Sequence, residues 1–162
     1  MIPFNKPFLI EKEFEFIKDS ILSKKLSGNG KYTKLCQQFI KNRYTFNKCL
    51  LTTSCTDALE MISLLLNIKK GDEIIMPSYT FVSTANAFVL RGAKIVFADS
   101  QQEHPNIDPL KIEELITNKT KAIIVVHYAG VSCDLDAIMK IGKKYNLYII
   151  EDAAQAIESK YK

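Results

Sequence analysis

The sequence lacks the patterns that mark several common classes of protein. Its four cysteines include no C-x-x-C pair and its two histidines, His104 and His127, stand far apart. Neither a zinc site nor a disulfide framework is therefore expected, and we predict reduced, mostly buried thiols. No apolar run approaches the roughly 20 residues that a membrane-spanning helix needs. No basic stripe with interleaved aromatic residues indicates nucleic-acid binding.

The first residues also lack the apolar core of a secretory signal. The segment 1–6 leads instead to acidic residues at Glu11, Glu13 and Glu15, so we expect a cytoplasmic protein. With 47% hydrophobic residues, 25% charged residues and a net charge of +4, the 162 residues fit one ordinary globular domain.

Short apolar runs and amphipathic segments alternate along the chain. Residues 1–46 form a predicted N-terminal helical segment, with helices over about 11–25 and 33–44. Over 47–162 we predict strands at 49–52, 73–76, 94–98, 121–127 and 147–150, and helices at 58–66, 83–90, 109–116 and 135–141. Strands and helices that alternate in this way predict a three-layer α/β/α fold around a mostly parallel sheet.

The segment Thr52–Leu59 joins a predicted strand to a predicted helix through small, hydroxyl-rich residues. Free N–H groups at a helix N-terminus suit a phosphate, and the hydroxyls of Ser54 and Thr56 can add donors. Plain helix capping explains the same residues, since Asp57 and Glu60 stand at capping-box spacing. The segment is neither a Walker loop nor a G-x-G-x-x-G fingerprint, so both interpretations stay open.

Three further strand ends carry residues that can meet a ligand, because ligand crevices lie beyond the carboxyl ends of parallel strands. Pro77–Phe81 offers an aromatic side chain that can lie on a ligand ring, although such aromatics more often belong to the core. His127–Gly130 follows another strand, where a structural histidine is the commoner role. The last predicted strand delivers Glu151 and Asp152, with the amide of Gln155 three residues further on.

These four strand ends together suit one kind of ligand. A helix start that can bind phosphate, an aromatic side chain that can stack on a ring, and a carboxylate with a nearby amide match a phosphorylated pyridine ring that carries a phenolic oxygen. Pyridoxal 5'-phosphate (PLP) is such a molecule. A carboxylate beside the pyridine nitrogen keeps that nitrogen protonated, and the ring can then withdraw electrons from a substrate carbanion. The residues therefore predict a PLP site.

The order of these motifs resembles the DegT/DnrJ/EryC1/StrS sugar aminotransferases. The segments that carry the resemblance are Thr53–Leu59, Pro77–Thr84, Asn106–Pro109, Thr117–Ile123, Val126–Val131 and Glu151–Gln155. The resemblance covers essentially the whole chain. The resemblance implies the large domain of a PLP-dependent transferase of fold type I.

The resemblance also implies how the cofactor ring would be held. Asp152 would pair with the pyridine nitrogen, Gln155 would contact the phenolic oxygen, and Phe81 would stack on the face of the ring. These three residues come from two different strand ends.

The cofactor phosphate is implied to bind at the hydroxyl-rich segment. Ser54, Cys55 and Thr56 would hold it, the cysteine largely through its backbone N–H. Cys55 stands where a glycine is common in the family. Glycine permits a left-handed backbone or a close approach of the ligand to the backbone, and cysteine permits them less readily.

The resemblance places the catalytic residue outside this sequence. In the family the Schiff-base lysine lies downstream of Asp152, in a stretch containing Ser-Phe-His that does not occur here. Lys160 and Lys162 match other positions of the family. We therefore expect no catalytic residue in this chain, and we expect both the Schiff-base lysine region and the small C-terminal domain to be absent from it.

The implied activity is transfer of an amino group from glutamate to the C4 ketone of a dTDP-4-keto-6-deoxyhexose, for cell-surface polysaccharides such as enterobacterial common antigen. The nucleotide sugar and glutamate would be its partners, and the intact enzyme a homodimer without metal, nucleic acid or membrane contacts. Two alternatives remain. One is a non-catalytic truncated remnant, and the other is an unrelated nucleotide-binding α/β module, which no glycine fingerprint supports.

Overall fold

The computed structural model describes residues 1–3 and 6–162. The chain divides into two compact units, Met1–Leu51 and Thr52–Lys162.

The first unit contains two helices. Helix α1 spans Lys12–Leu22 and helix α2 spans Lys31–Tyr44, which confirms the two helices predicted in this segment. The side chains of Lys31 and Tyr32, at the start of α2, donate to the carboxylate of Asp19 in α1 at 2.9 and 2.8 Å. No residue of either helix is buried.

The second unit is a four-stranded parallel sheet with helices packed on it. In chain order its elements are α3 (Cys55–Leu65), β1 (Glu73–Pro77), α4 (Val82–Val89), β2 (Lys94–Ala98), β3 (Thr120–Val126), α5 (Leu135–Tyr145) and β4 (Tyr148–Asp152). The strand order is β2-β1-β3-β4 and each neighbouring pair is parallel. The chain leaves β1 towards one edge and returns to β3 on the other side, so β1 and β3 flank a topological switch point.

Alternate residues of the central strands face two separate cores. Ile74 of β1 packs in one core with Leu59 of α3 and Phe88 of α4. Ile75, the next residue, packs in the other core with Ile138 of α5. Successive side chains of a strand point to opposite faces, so helices cover both faces of the sheet. This arrangement confirms the predicted three-layer α/β/α fold.

The segment 49–52, predicted as a strand, is irregular. Leu50 and Leu51 are 64% and 42% exposed. A strand is held by hydrogen bonds to a neighbouring strand, and the sheet of the described residues does not include this segment. The apolar pattern alone therefore gave a wrong prediction.

The segment 109–116, predicted as one helix, forms two short 3-10 turns. They span Pro109–Lys111 and Glu113–Leu115. The predicted start is confirmed, because the Asp108 carboxylate accepts the N–H of Leu110 at 3.0 Å. So short a segment gains too few hydrogen bonds to form a stable α-helix by its own propensity.

The cysteines differ from the expectation of mostly buried thiols. All four are free, but only Cys133 is buried, whereas Cys36 and Cys55 are exposed. Cys36 lies on α2, which buries no residue, and Cys55 begins α3.

Within residues 1–3 and 6–162, no helix is long and apolar enough to cross a membrane. The same residues contain no cluster of three or more histidine, cysteine or acidic side chains that could hold a metal ion.

Candidate functional site

One cavity lies at the carboxyl edge of the sheet, at the switch point between β1 and β3. Its volume is about 520 Å³. The start of α3, the turn between β1 and α4, and the residues after β3 and β4 form its walls. Five of the six predicted site residues line it: Cys55, Thr56, Phe81, Asp152 and Gln155. The carboxyl ends of the parallel strands β1, β3 and β4 meet at one edge and bring their following segments together, and the start of α3 lies at the same edge.

Ser54, the sixth predicted residue, caps α3. Its hydroxyl oxygen accepts the N–H of Asp57 at 3.1 Å. Hydrogen bonds from Thr53 and Ser54 to the Asp57 carboxylate lower the pKa of Asp57. Helix capping, one of the two interpretations of this segment, is therefore present, but Ser54 and Asp57 form the cap and not the predicted pair Asp57 and Glu60. The N–H groups of Cys55 and Thr56 belong to the first turn of α3, where the helix itself supplies no acceptor.

Asp152 ends β4 and is 7% exposed. Its Oδ2 accepts the hydroxyl of Thr84 at 2.8 Å. Its Oδ1 accepts the backbone N–H of Ala154 at 3.2 Å and the thiol of Cys55 at 3.6 Å. A buried carboxylate is costly unless donors replace its lost water. Three donors from α3, α4 and the residues after β4 do so here.

The Cys55 thiol remains a donor in this arrangement. The residue as a whole is exposed, but partial desolvation of its thiol, followed by the charge of Asp152, raises the pKa of Cys55. The thiol therefore keeps its proton and directs it at the carboxylate. Cys55 is the first residue of a regular helix and is not among the residues with positive φ. The position therefore accepts a side chain and does not require the conformational freedom of glycine.

Gln155 and the loop after β3 form one wall of the cavity. Gln155 Oε1 accepts the N–H of Ala129 at 2.7 Å. Ala129 and Gly130 both have left-handed backbone, with φ of 52° and 82°. A Cβ at Gly130 would lie 3.1 Å from Ser159 Oγ and 3.3 Å from the backbone oxygen of Gln155. Glycine therefore permits the close approach that joins the two segments.

His127 lines the same cavity and is fixed at both ring nitrogens. Nδ1 accepts the backbone N–H of Cys133 at 3.1 Å, and Nε2 lies 2.9 Å from Glu151 Oε2. An accepting Nδ1 carries no proton, so the proton lies on Nε2 and is donated to Glu151. This hydrogen bond lowers the pKa of Glu151. The contacts agree with the structural role considered for this histidine.

Three aromatic side chains stand at the mouth of the cavity. Phe81 is 72% exposed, so it is not a core aromatic, the alternative considered for it. Tyr79 and Tyr128 meet edge to face with ring centroids 4.9 Å apart, and their hydroxyl oxygens are 3.3 Å apart.

Lysine is missing from the cavity wall within the described part of the chain. Lys162 forms an ion pair with Asp136 in the first turn of α5. Lys160 is exposed and does not line the cavity.

Sequence reasoning missed Thr84, which touches Asp152 directly. A signal was present: Thr84 lies three and four residues before Ala87 and Phe88, which are buried on the same helix. A polar residue on the buried stripe of a helix needs a hydrogen-bond partner, and this one bonds to the carboxylate at the end of β4.

The parallel sheet places the chain in the α/β class, in which a cavity at the switch point is the usual position of a ligand site. Comparison with known proteins is more specific. Residues 7–162 match the DegT/DnrJ/EryC1/StrS aminotransferase family, and the chain belongs to that family. The resemblance inferred from the motifs is thereby confirmed at the level of the family.

Individual relatives show how much of the family's length the chain covers. GDP-perosamine synthase of Escherichia coli O157:H7 is 37% identical over 161 residues, which are 99% of this chain and 44% of that protein. The chain spans less than half the length of the curated relatives that it matches.

Solved structures confirm the fold. An aminotransferase from Psychrobacter cryohalolentis superposes with a TM-score of 0.88 at 33% identity, over 95% of this chain and 40% of that one. NtdA of Bacillus subtilis, solved with bound cofactor PMP, superposes with a TM-score of 0.87 at 33% identity, over 91% of this chain and 34% of that one.

Proposed function

We propose that this chain forms the cofactor-holding part of a PLP-dependent sugar aminotransferase. The observation that carries the proposal is the buried Asp152 carboxylate, held by three donors in the wall of a cavity of about 520 Å³. A pyridine ring needs such a carboxylate near its nitrogen, and a phosphate needs free N–H groups such as those at the start of α3. The donor set of the cavity fits the cofactor.

Each of the predicted residues has a role in this proposal. Asp152 would hold the proton of the ring nitrogen, and Gln155 would contact the phenolic oxygen. Phe81, exposed at the cavity, would stack on a face of the ring. Bound PLP supplies the electron withdrawal that stabilises negative charge at the carbon next to the transferred nitrogen.

The phosphate is proposed to bind at the start of α3. The first-turn N–H groups of Cys55 and Thr56 would donate to it, with the positive end of the helix dipole behind them. Ser54, the residue before Cys55, caps the helix and would hold the phosphate together with these two residues.

The substrate and partners are finer proposals. We propose a dTDP-4-keto-6-deoxyhexose as the amino acceptor, glutamate as the donor, and a cytoplasmic homodimer that serves cell-surface polysaccharide synthesis, including enterobacterial common antigen. The segments Thr53–Thr56 and His127–Val131 support this choice, since they resemble the corresponding motifs of dTDP-4-amino-4,6-dideoxygalactose transaminase. The relatives' names include a GDP-linked and a UDP-linked sugar. An assay that compares dTDP-, GDP- and UDP-linked sugars as amino acceptors would therefore identify the nucleotide.

The domain assignment follows from the same reasoning. We propose that 47–162 belongs to the PLP-binding large domain, with 1–46 as its N-terminal helical segment. The small domain and the lysine that reacts with the cofactor would lie outside these residues. The cavity wall, which has no lysine among the described residues, supports binding without turnover by the 162 residues alone.

A binding experiment tests the proposal. The 162-residue chain is titrated with PMP, whose amine does not react with surface lysines as the aldehyde of PLP does. Asp152→Asn keeps the size of the side chain but removes its charge. We expect about 10-fold to 100-fold weaker binding, because a hydrogen bond to a charged group is worth about 1.5–3 kcal/mol.

Glu114→Gln is the matched control, since Glu114 is exposed and outside the cavity. It should bind PMP as the unmodified chain does. Absence of PMP binding, or equal binding by Asp152→Asn, would refute the proposed site.

A further inference from the structure

We propose that Thr84, oriented by Thr80, is a positioning residue that donates to the Asp152 carboxylate and fixes it in the cavity wall. This inference rests on the proposed function, because the fixed carboxylate is the group that would meet the cofactor nitrogen. It concerns residues to which the motifs assigned no role.

The geometry places the three side chains in a row. Thr84, 1% exposed, has its hydroxyl oxygen 2.8 Å from Asp152 Oδ2. The hydroxyl oxygen of Thr80 lies 2.8 Å from that of Thr84. Thr84 belongs to the first turn of α4, and Thr80 lies just before that helix begins. The row therefore runs from the turn after β1 to the end of β4.

The direction of the hydrogen bonds follows from the number of protons. An ionised carboxylate can only accept, so the single hydroxyl proton of Thr84 points to Asp152. Thr84 then has no proton left for Thr80, and Thr80 must donate to Thr84. A hydroxyl that receives a hydrogen bond becomes a stronger donor. Thr80 thus strengthens the bond that Thr84 makes to the carboxylate.

The other contacts of the carboxylate come from neutral groups. They are the Cys55 thiol on Oδ1 and the N–H of Ala154 on the same oxygen. The remaining titratable groups of the cavity bond elsewhere: His127 to Glu151, and Tyr128 to Tyr79. Thr84 alone bonds to Oδ2 in these contacts, so its loss would leave that oxygen buried without a donor.

The test measures the carboxylate directly in the 162-residue chain without cofactor. The pH at which Asp152 gains its proton is followed by the 13C NMR shift of its side-chain carboxyl. Thr84→Val keeps the shape of threonine but removes the donor. We expect the midpoint to rise by about one pH unit, a tenfold higher proton affinity, since donors favour the charged form.

Three further variants keep the result decisive. Thr84→Ser retains the hydroxyl and should restore the midpoint, whereas Ser63→Ala removes a buried hydroxyl of α3 that bonds only to Glu60 and should change nothing. Thr80→Val should raise the midpoint by a smaller amount. An unchanged midpoint in Thr84→Val overturns the proposal. If that variant does not fold, an unchanged midpoint in Thr80→Val overturns it instead.

The outcome is separable from that of the proposed function. PMP that fails to bind the unmodified chain would refute the cofactor site but leave the carboxyl titration as it is. PMP that binds normally to Thr84→Val, at a pH where the carboxyl has kept its charge, would show that the hydroxyl does not position Asp152 for the ligand.

Discussion

Hydroxyl donors stabilise buried carboxylates at two separate places in this chain. Besides Asp152, Glu73 is 6% exposed and accepts the hydroxyl of Thr117 at 2.6 Å. Lys94, its neighbour across β1 and β2, donates to the other oxygen at 3.2 Å. The bond from Thr117, more than the one from Lys94, lowers the pKa of Glu73 below its ordinary value of 4.5.

The Thr117 contact predicts a pH-dependent loss of stability. A carboxyl whose pKa is lowered by folding stabilises the folded state above its unfolded pKa, and this contribution disappears as the pH falls through the folded value. Thr117→Val should therefore lower the free energy of unfolding at pH 7 by about 1 kcal/mol, and by less below about pH 4. Urea unfolding at both pH values measures the difference.

Thr117→Ser is the control, because it retains the hydroxyl and should unfold like the unmodified chain at both pH values. A loss in Thr117→Val that is equally large at pH 7 and at acidic pH would show that the Glu73 charge is not involved.

At the scale of the elements, close packing of α5 on β4 depends on Gly142. A Cβ built at this position would lie 2.8 Å from Ile149 Cδ1 and 2.9 Å from Ile149 Cγ1. Gly142 is buried in the same helix as Ile138 and Ile141. Glycine is otherwise unfavourable inside a helix, so its presence here reflects the space between the helix and the strand.

Gly142→Ala should therefore destabilise the chain even though alanine favours the helix. The gain in helix propensity is about 1 kcal/mol, and the cost of overpacking is about 1–3 kcal/mol. Ile149→Val removes the Cδ1 atom that the new methyl group meets most closely. In that background Gly142→Ala should cost less or become stabilising. Thermal unfolding of the two single variants and the double variant gives the coupling; additive effects would contradict the packing argument.

The elements of the second unit were predictable wherever local pattern and packing agree. The consecutive apolar residues of β3 predicted a strand buried on both faces, and such a strand is present. The pattern failed at 49–52. These residues suit a strand, but a strand forms only where a neighbouring strand supplies hydrogen-bond partners, and the local sequence does not show whether one is present. It failed again at 109–116, because propensity does not distinguish an α-helix from 3-10 turns in so short a segment.

The site was predictable to a similar extent. The ends of β4 and β1 brought Asp152 and Phe81 to one cavity, as expected from parallel topology, whereas Cys55 reaches the same cavity from the start of α3 without a strand before it. The contact between Thr84 and Asp152 joins residues 68 positions apart and depends on how α4 lies against β4. The spacing of these two residues in the sequence therefore does not predict their contact.

At the scale of the whole molecule, the cavity and both hydrophobic cores belong to Thr52–Lys162. The residues proposed to hold the cofactor therefore share one folded unit. Several large apolar side chains of that unit are exposed, among them Leu65 at 70% and Leu90 at 72%.

The most direct test of the central proposal is an NMR titration of the 15N-labelled chain with PMP. We expect the largest amide shifts at the four segments that surround the cavity: 54–57, 78–84, 127–130 and 152–155. The same shifts should be much smaller in Asp152→Asn at equal PMP concentration. Shifts that concentrate elsewhere, or that are the same in both chains, would contradict a cofactor site built on Asp152.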